Sequence, residues 1–142
     1  MGSHGWQDYR IDISNGLIRK RSRVQLLRLQ AIDAFRTNDI DHIHLINDRL
    51  INEIGCHLNY TDRLSNTFLL LAELTPNWGI QHIRHMGGVY HICLFDKSGR
   101  NRETFHNKWV TSVLEHALIY TILSVYLIDV NTHIGELHGL SN

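Results

Sequence analysis

Residues 75–94, TPNWGIQHIRHMGGVYHICL, decide how this chain folds. Thr75 followed by Pro76 reads as a helix start. The threonine hydroxyl can cap exposed backbone N–H groups, and proline at the first helical position misses no hydrogen bond. From there Ile80, Ile83, Gly87, Tyr90 and Leu94 recur at helical spacing. The Gly87-Gly88 pair costs such a helix about 2 kcal/mol of propensity unless it permits close packing. A helix opening at Thr75 and tightly packed at its glycines is the expectation.

Working outward, the same periodicity predicts helices over residues 6–19, 22–36, 40–54 and 61–74. The first carries Tyr9, Ile13 and Leu17, and the second the stripe Val24, Leu27, Ala31, Ile32 and Phe35. The third carries Ile43, Ile46, Leu50 and Ile54, with Gly55 as its terminus. Beyond residue 94, residues 97–101 (KSGRN) read as a polar turn. Phe105, Trp109, Val113, Ala117, Thr121 and Val125 then recur every four residues, predicting one long sixth helix. It pairs with the helix from Thr75 as a hairpin at the centre of an all-α bundle, and Asn131-Thr132 can cap a last short helix.

Length and composition fit one domain. A chain of 142 residues buries ~68% of its unfolded surface around a single core. Hydrophobic residues make up 43% and charged residues 20%, so neither a disordered nor a fibrous chain is indicated. Met1 to His4 (MGSH) resemble an expression-vector remnant, leaving residues 5–142 as the expected domain. The apolar run 117–128 falls short of the ~20 residues a bilayer crossing needs and reads as a buried core helix. Cys56 and Cys93 stand alone, without a CxxC spacing, which fits a reducing compartment.

Asn77-Trp78-Gly79, followed by an apolar segment bearing Gly87-Gly88, resembles the first homology motif of the Bcl-2 family of apoptosis regulators. Residues 63–74, RLSNTFLLLAEL, are similar to the helix that leads into that motif. The resemblance covers about residues 61–94. It implies a Bcl-2-like helical bundle whose apolar groove sequesters the BH3 helices of pro-apoptotic proteins, the helix-in-groove mode. Thr67, Leu70 and Leu71 would face that groove, Asn77 would meet the ligand's Asp, Gly79 would let its backbone approach, and Ile80 would line the groove. Trp78, Gly87 and Gly88 would form the motif's core.

Where the family carries an Arg after this glycine, Ile80 stands, and Arg84 one turn on is the cation available in its place. A narrow subset of ligands is therefore implied. Of the family's second motif only Ile134-Gly135 remains. For the third, residues 31–35 (AIDAF) keep the Asp and Phe, in preference to residues 51–58. A compact, tail-less relative is similar to viral members. That implies an inhibitor in the host cytoplasm, reaching mitochondria through its partners, with no transmembrane anchor and with a homodimer as a further assembly.

Two other readings compete with this one. The basic run Arg19, Lys20, Arg21, Arg23 and Arg28 fits a small helical nucleic-acid-binding module, although a net charge of zero gives no bulk attraction to nucleic acid. Eleven histidines, with His82 and His85 on one helical face and Cys93 beyond, raise a metal site. No HExxH or clustered carboxylate accompanies them, so they read as surface histidines, with no metal and no cofactor. No GxSxG, phosphate-binding loop or dinucleotide fingerprint occurs, and an enzyme is not expected.

Overall fold

A computed structural model describes residues 2–98 and 104–139. Its elements run α1 (Gly2–Thr37), α2 (Ile40–Ile54), α3 (Leu64–Leu74), β1 (Trp78–Met86), β2 (Val89–Asp96), β3 (Thr104–Val110) and α4 (Leu114–Gly139). The strands form one antiparallel sheet in the order β1-β2-β3. The fold is therefore mixed α/β, which corrects the expected all-α bundle.

α4 is the axis. Ala117, Leu118, Ile119, Ile122, Leu123 and Val125 are fully buried, because α1, α3 and the sheet each cover one side of the helix. By length and composition residues 114–138 could cross a membrane, yet 61% of their most apolar 18-residue window is buried by its neighbours. It is a core helix, as its sequence implied. α1 lies antiparallel along it. Phe35 stacks on His116 with ring centroids 4.2 Å apart, and at the other end Arg10 donates to the Leu137 carbonyl at 2.8 Å.

The two helices expected over residues 6–36 are one. Nothing in residues 19–23 breaks a helix, and the basic side chains there and just beyond lie down on neighbouring elements. Lys20 sits 5.0 Å from the Tyr126 ring centre, and Arg23 pairs with Glu53 of α2. Arg28 donates to Ser124 Oγ at 2.9 Å and to the Tyr120 hydroxyl at 2.6 Å. α2 begins and ends where its pattern placed it. Asp39 accepts from the N–H groups of Asp41 and His42, and Gly55 closes the helix in the left-handed region.

The helix expected from Thr75 does not form. The Thr75 hydroxyl donates back to the Leu71 carbonyl at 2.7 Å and so closes α3, while Trp78 N–H reaches the Thr75 carbonyl across a turn containing Pro76. The strands β1 and β2 follow as a hairpin. Gly87 and Gly88 have φ of 61° and 77°, the two positive values a type I′ turn demands. A Cβ at either would meet nothing within 4 Å, so the pair turns the chain rather than packing it.

The expected sixth helix is likewise split into β3 and α4, and the helix expected at Asn131-Thr132 is the continuation of α4. Lys97 and Ser98 follow β2 in a turn; residues 99–101 of the expected turn lie outside the described residues.

One face of the sheet meets α4. Asn107 donates to Thr121 Oγ1 at 3.0 Å and Trp109 packs on Tyr120, with centroids 4.6 Å apart. Trp78 Nε1 donates to Asp129 Oδ1 at 2.9 Å. The alternation of strand side chains then sends Cys93, His91, His106 and Lys108 to the other, outer face. Between Ile80 and His82 the β1–β2 register shifts, so Gln81 is an extra residue, a β-bulge.

Candidate metal centre on the outer face of the sheet

The hairpin turn that sets Met86 opposite Val89 also sets His82 opposite Cys93, and β3 brings His106 opposite Cys93 from the other side. One side chain from each strand thus forms a row across the sheet. The ligand atoms of His82, Cys93 and His106 all lie within 4.8 Å of one another. Cys93 is fully buried beneath its neighbours, His82 is half-buried and His106 is exposed.

The spacing suits a transition metal. With metal–sulfur bonds of about 2.3 Å and metal–nitrogen bonds of about 2.0 Å, a tetrahedral site has a sulfur–nitrogen edge of about 3.5 Å. Cys93 Sγ and His106 Nε2 are 3.6 Å apart. Thr104 Oγ1 lies 3.2 Å from the same nitrogen, a contact that a metal bound through Nε2 would replace. The bulge turns Gln81 toward the site as well, and its Oε1 accepts from Cys93 Sγ at 3.3 Å. Two imidazoles and a thiol around one point form a donor set suited to Zn2+ or copper. A cysteine nucleophile, by contrast, needs an accessible sulfur, and this one is covered.

His85 does not belong to this group. Three residues from His82 on a strand, it falls on the other face and stacks on Tyr90 with centroids 4.3 Å apart. The helical pairing of His82 with His85 is thus replaced by a row across strands. His106 was not a candidate in the sequence, because its role depends on β3, which the four-residue spacing disguised as helix.

The residues expected to line a groove are dispersed. Thr67, Leu70 and Leu71 point into the core, where Thr67 Oγ1 donates to the Tyr60 carbonyl at 2.7 Å. Ile80 and Trp78 face α4, whereas Gly79 and Arg84 belong to the opposite face. Gly79 is needed for close approach: a Cβ there would sit 2.7 Å from Lys97 Cε and 2.8 Å from two Phe95 ring atoms. Asn77 and Trp78 border a cleft of about 330 Å3, but Lys20, Glu73, Asp96 and Asp129 also line it, so it is not an apolar groove. Of residues 31–35, Ala31, Ala34 and Phe35 are core and Asp33 is exposed. The basic run is largely spent on α4 and α2, as described above.

Compared with protein-family models, curated proteins and solved structures, the chain matches none.

Proposed function

We propose that this protein binds a thiophilic transition metal, Zn2+ foremost, through His82, Cys93 and His106. The observation that carries the reading is the cross-strand convergence of these three ligand atoms within 4.8 Å. The metal would bind a thiolate, so uptake releases the Cys93 proton and weakens toward acid pH. Joining three strands, it would also stabilise the sheet by mass action. At one hundred times the dissociation constant this amounts to about 2.7 kcal/mol, or roughly 10 °C in Tm for a chain of this size.

Cobalt substitution tests it directly. Co2+ should bind one to one, with thiolate-to-metal charge-transfer absorption and the strong visible bands of a four-coordinate ion. Cys93→Ala should abolish the thiolate band, and His106→Ala should weaken binding at least about tenfold. Since Cys93→Ala keeps all the other histidines, equal metal uptake and equal thermal stabilisation in that variant and the parent would refute the site.

A further inference from the structure

One row along the sheet from the metal ligands lies a second row, Arg84, His91 and Lys108, paired in register across the same three strands. Arg84 and Lys108 are exposed and His91 is half-buried. Same-face residues on a strand are about 7 Å apart, a distance these long side chains can span to reach a group bound above His82, Cys93 and His106. Among the described residues, the strand positions directed to this face are Gly79, Gln81, His82, Arg84 and Met86 on β1, with Val89, His91, Cys93 and Phe95 on β2. Those on β3 are Thr104, His106 and Lys108. None of them is acidic.

We propose that the fourth coordination position takes a phosphate group, either inorganic phosphate or a phosphate monoester, gripped by Arg84 and Lys108. This rests on the metal reading above. Three protein donors leave one position of a tetrahedral ion to an outside ligand, the arrangement of sites that act on what they bind. A divalent ion with one thiolate keeps a single positive charge, and Arg84 and Lys108 add two more. A phosphate dianion offsets two of those three charges and has enough oxygens to place one on the metal, one in the planar fork of Arg84 and one on Lys108. Gln81, on the far side of Cys93, is placed to hydrogen-bond the same bound group through its carboxamide. A carboxylate, with one charge and two oxygens, would leave one of the two cations unused.

The test uses the cobalt-loaded protein. Titration with inorganic phosphate and, separately, with phenyl phosphate should shift the visible cobalt bands saturably, and acetate should do so much more weakly. The arms distinguish free phosphate from an ester: a response to phenyl phosphate alone assigns the site to monoesters, and a response to inorganic phosphate alone assigns it to the free ion. Arg84→Ala and Lys108→Ala, both at exposed positions, should each weaken phosphate binding about tenfold or more while leaving cobalt affinity unchanged. An intact thiolate band that neither phosphate perturbs would overturn this inference and leave the metal site standing, as would phosphate binding unaltered in both variants. Absence of the thiolate band would remove the site and the inference together.

Discussion

Asp129 offers a sharp test of what holds the start of β1 to α4. Its Oδ1 accepts the Trp78 indole N–H at 2.9 Å, and Trp78 is only 4% exposed. Burial raises the Asp129 pKa above the ordinary 3.8, and the Trp78 hydrogen bond works against that rise. Asp129→Ala removes the acceptor and leaves a buried N–H unpaired, a loss of about 1–3 kcal/mol. At about 4 °C per kcal/mol for a chain of this length, Tm should drop by roughly 4–12 °C. Asp129→Asn keeps an oxygen acceptor and removes a charge that burial disfavours, so at pH 7 its stability should equal or exceed the parent's.

The sign with pH follows from the raised pKa. The native state holds the Asp129 proton more tightly than the unfolded chain does, so the parent gains stability as pH falls through the native pKa. Any advantage of Asp129→Asn should therefore shrink between pH 7 and pH 4. Thermal unfolding followed by far-ultraviolet circular dichroism at several pH values measures both effects. Equal losses in the Asn and Ala variants at pH 7 would refute the reasoning, since the carboxylate charge and not its acceptor oxygen would then secure the indole.

Gly79→Ala should cost about 1–3 kcal/mol by overpacking against Phe95 and Lys97. Most of that loss should vanish in a Phe95→Ala background, as a double-mutant cycle in urea can show. At the hairpin turn, where the demand is a positive φ and not space, Gly87→Asn should be tolerated and Gly87→Val should cost more than about 1 kcal/mol; equal melting temperatures for the two would contradict the turn assignment. His116, stacked on Phe35, has its pKa lowered from 6.5, chiefly by burial, with Glu115, Asp62 and a backbone hydrogen bond to Thr61 opposing. Its native state resists protonation, so stability should decline as pH falls below about 6.5, and His116→Phe should flatten that decline between pH 7 and 5.

Much of the helical framework was legible because its signals are local. Asp39 and Gly55 mark α2 by their own chemistry, and the apolar run 117–128, interrupted by Thr121 and Ser124, marks a buried element. The sheet was hidden by arithmetic. A four-residue recurrence such as Phe105, Trp109, Val113 is also an even multiple of the strand period, so it cannot separate strand from helix. Gly87-Gly88 between two apolar runs is equally a hairpin signal, and the helix-start reading of Thr75-Pro76 concealed it. Trp78 and Gly79 matter locally for reasons unlike those the family resemblance implied: an indole N–H bound to Asp129, and room for Phe95. The candidate centre was half visible, since His82 and Cys93 drew notice, but a row across strands becomes apparent only once the strands are paired.

Gln81 reverses the parity of β1. On an unbroken strand Trp78, Ile80, His82 and Arg84 would all share one face, and the strand could either grip α4 or present ligands to solvent. One inserted residue sends the first two inward and the last two outward. A strand that kept Gln81 but lost the bulge would therefore set anchorage against coordination: one holding Trp78 on Asp129 would turn His82 away from Cys93, and one holding His82 beside Cys93 would swing Trp78 out of the core, whereas deleting Gln81 outright would leave both in step.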